Sequence, residues 1–511
     1  MLLAVHKKRP GLLDISLVSL ASLTAILLFN MYLISSSVDW LALTLIAGHL
    51  ILIIVPLLEM HRRGIFDLFH PLMWASISYV IPYVIIKAIA LVLFDFQSGF
   101  FQFLGSQQPF LNQALLYMLL GNTALWIGYY LPIGKRASRR LPRIKVEIHE
   151  RRIFLWGLRF LLLGVAFTLY LSSTGQYGYG LSEVTKFLGL LQTLAKLESI
   201  GLFMMFWAFT RIRTRPPSIL LTAVIAIGIF LVVRMLSGGR SSLYSVALLL
   251  IGAYMYAKYP HVRLRSMLPK LLLLILTIVL GFIFFTNYRA LRTEYAALDN
   301  KVGIGEQMGL WRSVGSGLFG SDVNRSTGEW VEQIITRFDV LDSLALILAR
   351  ADELKPQEQA VGIDNNILKE MFWTWVPRFV YPDKPVISDL NLWINRLYRD
   401  SPSMSWMGQS AIGDLYRNGR TVAVIFGMIL LGIYLRVLKE WLVRGGKLSI
   451  AEALLYYFLL MEITLPTNYT PFLTGGMRTC FILVIPLAVI RALSGSRHKH
   501  RAKHNTLVMN Q

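Results

Sequence analysis

From Leu271 to Asn287 the chain reads LLLLILTIVLGFIFFTN, an uncharged, almost wholly apolar run close to the roughly 20 residues with which an α-helix crosses a bilayer core. Comparable runs lie near 12–34, 40–58, 69–94, 111–131, 153–172, 195–210, 218–236, 242–258, 421–438, 449–465 and 473–493. Together they predict about twelve spans. The sixth run is the most interrupted, by Lys196 and Glu198 near its start. Charged residues make up 16% of the 511 and hydrophobic residues 55%, whereas soluble domains carry roughly a quarter charged residues, so lipid is the main solvent. The apolar residues run continuously and do not alternate as barrel strands would. The expected fold class is an all-α polytopic membrane protein.

The formal net charge is +22, and its placement gives the orientation. Lys135, Arg136, Arg139, Arg140, Arg143, Lys145, Arg151 and Arg152 crowd the connection at 132–152. The clusters around Arg211 and Lys258, then Lys439, Arg444 and Lys447, and the tail with Arg497, Lys499, Arg501 and Lys503 fall on the same side. The opposite connections, 35–39 and 95–110, contain no Lys or Arg. Cytoplasmic loops carry the excess of Lys and Arg, so both termini of this multi-pass membrane protein are expected in the cytoplasm. Basic residues between spans form no patch on a soluble domain, which excludes a nucleic-acid partner. The basic start and the run at 12–33 resemble a signal peptide, but the run is long and lacks an A-x-A site, so a retained first span is expected. The single cysteine, Cys480, lies in an apolar run and excludes an intrachain disulfide or a CxxC metal motif.

Three regions follow: 1–287, a nine-span part; 288–416, a large and partly helical segment on the non-cytoplasmic side between the ninth and tenth spans; and 417–511, a three-span part with a basic tail. Within the large segment, Ser326 and Glu329 have capping-box spacing. Behind them Trp330, Ile334, Phe338, Leu341, Ala345 and Leu348 recur at helical spacing and predict an amphipathic helix. A second helix is expected from Asp364, with Ile367, Leu368, Met371, Phe372 and Trp375 on one face, ending before Pro377. Such helices lie on the membrane surface or cap the bundle.

Chemistry is expected at three places on the outer side. The turn Ser237-Gly-Gly239-Arg240-Ser-Ser242, with Arg234 shortly before it, offers backbone N–H groups and a guanidinium fork to a phosphate. It equally fits a tight turn whose Arg snorkels to headgroups. The stretch Val376-Pro-Arg378-Phe-Val-Tyr-Pro-Asp383-Lys384-Pro385 holds charged groups on a backbone stiffened by proline, and could otherwise simply close the segment. Gly413-Asp414-Leu415-Tyr416-Arg417-Asn418-Gly419-Arg420 sets a carboxylate and two arginines at the mouth of the tenth span, as an active centre, a helix cap or an anchor belt. Arg478, in the last outer turn, adds another cation, and Arg289 and Arg292 follow directly on the ninth run. Glu462, near the outer end of the eleventh span, reads as an acid paired inside the bundle. No histidine falls in an outer connection, so acid–base chemistry there requires Asp or Glu, and no metal site is expected.

The Gly-Gly-Arg turn at 238–240, the Pro-Arg…Pro-x-Lys-Pro stretch at 377–385 and Gly413-Asp414-Leu-Tyr416 before a span occur in an order and placement that resemble the oligosaccharide repeat-unit polymerases. These are the Wzy-type O-antigen and exopolysaccharide polymerases of bacterial inner membranes. The chain departs from the pattern at Asp414, where the family often has Glu. The related O-antigen ligases use an outer-loop histidine that this chain lacks. The resemblance implies metal- and cofactor-independent glycosyl transfer between undecaprenyl-diphosphate-linked oligosaccharides, with a chain-length regulator as a further partner. It assigns catalytic roles to Asp414, Arg240 and Arg378. Substrate binding falls to Arg234, Gly239, Arg289, Arg292, Lys384, Arg417, Arg420 and Arg478. Lipid-diphosphate leaving groups gain negative charge in the transition state, which preorganised arginines stabilise. The competing readings are a lipid-linked oligosaccharide flippase, which shares the spans but needs no large structured segment, and another lipid-dependent glycosyltransferase or an O-antigen ligase.

Overall fold

The structure is a computed structural model that describes residues 39–64, 66–94, 108–144, 148–174, 188–236, 241–262, 338–374, 390–399, 408–443 and 447–509, plus the isolated positions 269, 272, 335, 376 and 381. The expected first span, the ninth apart from Leu272, and the Ser326–Glu329 capping box lie outside these residues. The described residues form helices and no strands. In chain order the helices are α1 (Trp40–Arg63), α2 (Pro71–Leu93), α3 (Gln108–Tyr130), α4 (Pro132–Arg140), α5 (Glu150–Ser173), α6 (Leu188–Ala195), α7 (Leu197–Arg211), α8 (Pro217–Leu236) and α9 (Ser241–Lys258). After these come α10 (Val340–Arg350), α11 (Lys355–Ala360), α12 (Asn366–Thr374), α13 (Leu390–Arg399), α14 (Ser410–Leu442), α15 (Ile450–Met461) and α16 (Pro471–Met509).

Seven of these, α1, α2, α3, α5, α8, α14 and α16, are long and apolar enough to cross a membrane. Two more expected spans, α9 and α15, are apolar but shorter. The interrupted sixth run becomes α7, whose 15 residues begin directly after Lys196. Local chemistry sets several ends. Asp39 caps α1 by accepting from the Leu41 N–H at 2.9 Å, and Gly64 closes it with a left-handed φ of 63°.

The spans pack through glycine. A Cβ on Gly164 of α5 would stand 2.0 Å from the Glu198 nitrogen, and one on Gly201 of α7 would stand 2.2 Å from the Leu161 nitrogen. Between α3 and α14, a Cβ on Gly128 would lie 2.2 Å from the Ile429 carbonyl oxygen. Lipid supplies no hydrophobic drive for helix association, so such close backbone approach is what holds spans together. Outward positions such as Ile51, Leu221, Phe426 and Phe481 are large, apolar and exposed, as lipid-facing residues are.

α10 departs from the amphipathic helix predicted over 330–348. It begins only at Val340, after the turn at Asp339, and it is buried on every face from Val340 to Leu348. It wedges against α2, α3, α13 and α14, which surround it and leave no side for solvent or headgroups. Trp330 and Ile334 lie outside the described residues.

α14 is two helices joined by a sharp kink at Gly419 and Arg420. The arm 410–418 folds back along the span 421–442: Leu415 fills the space over Gly427, where a Cβ would meet it at 2.4 Å, and Ile412 and Val424 both abut Gly121. The Tyr469 hydroxyl donates to the Gly427 carbonyl at 2.7 Å and closes the hairpin from the other side.

Candidate functional site

Asp414, Arg417 and Asn418 stand at i, i+3 and i+4 on one face of the folded-back arm, so a single helical stripe carries all three toward α11 and α12. Arg417 Nε donates to Glu358 Oε1 at 2.6 Å, and its Nη1 donates to Gln409 Oε1 at 2.9 Å. The Tyr398 hydroxyl from α13 donates to the same Glu358 oxygen at 2.7 Å. Both ionic side chains are 1% exposed. A charge pair this dry is tolerated only when the remaining donors and acceptors are also satisfied, and here Gln409 and Tyr398 do that.

Asp414 is fully buried. One carboxylate oxygen accepts from Asn366 Nδ2 at 3.0 Å and the other from the Tyr469 N–H at 3.0 Å. Asn418 donates to the Asp414 carbonyl at 2.7 Å and to the Asn366 side chain at 2.9 Å. Four parts of the chain, α11, α12, the α14 arm and the loop before α16, therefore meet on Asp414 and Arg417. Next to them lies Glu370 of α12. Burial pushes its carboxyl up to about 7, against a lowering hydrogen bond with Thr470 and with a further push from the Asp414 carboxylate.

Arg420 is one of three non-glycine residues with positive φ among the described residues, with Asn365 at 47° and Ser410 at 64°. With φ 54° and ψ −151° it occupies a conformation that is essentially reserved for glycine. Its guanidinium pairs with Asp352, lies 5.1 Å from the Tyr416 ring centroid, and is about one-third exposed. Its Nη1 is buried and has no hydrogen-bond partner. Asp352 is 87% exposed, so this pair is open to exchange with another anion.

Arg234, the other described arginine of the first outer motif, stands apart from this cluster. It pairs with Glu198 at 3.0 Å, and Glu198 accepts in turn from the Thr168 hydroxyl at 3.0 Å. Glu462 finds the expected ionic partner in Lys196 at 2.7 Å and accepts from the Thr479 hydroxyl at 2.6 Å, but the pair is partly exposed, 43% at Lys196 and 22% at Glu462, and does not lie inside the bundle. Arg478 is exposed on α16. Gly239, Arg240, Arg289, Arg292, Arg378, Lys384 and Asp383 lie outside the described residues. Among the described residues, no three His, Cys, Asp or Glu side chains gather to hold a metal ion.

Sequence reasoning passed over the residues that complete the site. Glu358, Gln409, Asn366 and Tyr398 carry no local signal, since they reach Asp414 and Arg417 only through folding. Lys87 did carry one, as the only charged residue within α2. It forms a buried ion pair with Asp342 of α10 at 2.7 Å.

In comparisons with known proteins, no family model, no curated protein and no solved structure matches the chain.

Proposed function

We propose that this protein polymerises lipid-linked oligosaccharide repeat units into a surface polysaccharide at the periplasmic face of the bacterial inner membrane. The reading includes about twelve spans, both termini in the cytoplasm and the segment 288–416 outside. In the reaction, the bond from the glycan's anomeric carbon to undecaprenyl diphosphate breaks as a bond forms to the acceptor's terminal sugar. The acceptor hydroxyl gives its proton to a carboxylate, and the diphosphate leaves carrying the extra negative charge.

The observation that carries the reading is Arg420. A non-glycine residue held in a glycine-type conformation, half-satisfied by an exchangeable surface acid, is the kind of strain that persists where binding uses it. A diphosphate in place of Asp352 would take the exposed Nη2 side of the guanidinium that Asp352 now occupies. Arg240 and Arg378 are assigned to the same leaving group, with Arg478 and Lys384 lining the approach, whereas Arg234 is committed to buried Glu198. Arg417, by contrast, is sealed and serves the framework.

Asp414 is assigned a positioning role. No substrate reaches a fully buried carboxylate whose two oxygens are occupied by Asn366 and Tyr469. Its Oδ1 also accepts from Asn418 Nδ2 at 3.4 Å, which braces the turn that presents Arg420. The acceptor proton then goes to another outer carboxylate, and Asp383 in the proline-stiffened stretch is the one assigned.

The test is polymer formation by Arg420→Ala and Arg420→Lys at wild-type protein level. Both should leave lipid-linked single repeat units unpolymerised, because a point charge cannot replace a planar fork. Normal polymer from both variants would remove Arg420 from the site.

A further inference from the structure

α12 is an inside-out helix. Its inward face is polar: Asn366 and Glu370 are each 5% exposed and bond to Asp414, Asn418 and Thr470. Flanked by Lys369, which is 46% exposed and paired with Asp364 at 2.7 Å, its outward face carries an apolar stripe, Leu368, Met371 and Phe372, which are 69%, 47% and 65% exposed. These three stand at i, i+3 and i+4 and so form one stripe. A helix bathed in water buries such a stripe and exposes its Asn and Glu. The reverse arrangement is stable where the surroundings are themselves apolar.

The neighbours say what those surroundings are. α12 packs against both α14 and α16, at the Asn418 end of one and the Thr470 end of the other. Both are membrane-crossing helices with large apolar residues facing outward, Val422 and Phe426 on α14 and Phe481 on α16. Just beyond the outward stripe, Trp373 stacks on Tyr381 at 5.1 Å, an aromatic pair of the sort enriched at headgroup level. With nine residues, about 14 Å long, α12 is too short to span.

We propose that α12 is an interfacial helix embedded in the bilayer leaflet at this end of the bundle, with Leu368, Met371 and Phe372 against lipid acyl chains. It anchors the Asp414–Arg417 cluster to the membrane, so that the cluster lies at the level of the lipid headgroups. The inference rests on the membrane fold and is independent of the polymerase reading.

The experiment uses the full-length chain with Cys480→Ser, carrying Leu368→Cys or Phe372→Cys labelled with bimane, in phosphatidylcholine–phosphatidylglycerol vesicles. Phe426→Cys is the lipid-facing reference and Gln359→Cys, on an exposed position of α11, the water-facing one. Lipids brominated close to the headgroup should quench both α12 labels by about twofold, and more than lipids brominated at the chain end, as befits a helix roughly 5–10 Å below the surface. Iodide in the buffer should quench Gln359→Cys but not them. Quenching of the α12 labels by iodide and not by lipid would overturn the proposal. Protection from both quenchers, with a disulfide-linked dimer of the unlabelled variants, would overturn it in favour of a second copy of the chain.

Discussion

Lys87 and Asp342 stand 2.7 Å apart with both side chains 1% exposed, one in α2, a helix long and apolar enough to cross a membrane, and the other in α10 of the segment between α9 and α14. This pair joins the segment to the spans, and it explains why α10 can lie buried on all sides. Removing one partner leaves an uncompensated charge in a dry interior, which destabilises by about 3–5 kcal/mol, whereas replacing both by apolar residues of similar volume is far milder. Lys87→Met and Asp342→Leu should each lower the melting temperature of the detergent-purified protein sharply, and the double variant should recover most of the loss. A double variant as unstable as the sum of the two singles would refute the coupling.

Arg420→Gly should stabilise the protein while abolishing polymer. The strain at φ 54° is relieved, about 1–3 kcal/mol, and the pair lost with exposed Asp352 contributes little. Arg420→Ala keeps the strain and should not gain stability. Equal melting temperatures for the two variants would mean that the backbone there is unstrained.

Asp414→Asn should destabilise by about 1–3 kcal/mol, since its amide must point at one of two donors, Asn366 Nδ2 or the Tyr469 N–H. Its polymer yield should fall with its folded fraction. Asp383→Asn should lose polymer at wild-type stability. The reverse pattern, with Asp414→Asn stable and inactive, would return the proton-accepting role to Asp414.

Glu370 makes stability depend on pH. Its carboxyl is raised from 4.5 to about 7, so the folded state holds the proton where the unfolded chain has lost it. The contribution is complete below about pH 4.5 and is lost as pH rises through about 7. Glu370→Gln should flatten the fall in melting temperature between pH 5 and 8, the range that brackets that titration. An unchanged slope would place the responsible group elsewhere.

Reporter fusions at Gly362 and at the C-terminus should report opposite sides of the membrane. Gly362 is exposed in a turn, so an insertion there is tolerated. Both reporters on one side would break the expected topology.

Much of the bundle was legible because a span announces itself by run length alone, as in α1, α3 and α5. The α14 motif was also visible, since acid and arginine beside a span are rare. Its geometry was not: Asp414 was expected at the mouth of the tenth span, yet the kink at Gly419–Arg420 folds that arm back and the span starts beyond it. Periodicity put Ile367 on one face of α12 with Leu368, Met371 and Phe372, whereas the structure packs Ile367 against the core and turns Leu368 outward; Trp375, the last residue of that expected face, lies outside the described residues. That choice depends on Asp414 and Thr470, far along the chain. Lys87 was readable as a lone intramembrane charge, whereas its partner had to come from folding.

The most direct test of the central claim is glycan analysis in a strain deleted for this gene, reading both the size of surface glycan and the membrane face that holds lipid-linked repeat units. Polymerase activity predicts that long chains vanish while single repeat units persist on the outer face. Unpolymerised units accumulating on the cytoplasmic face, or long chains made as before, would contradict it.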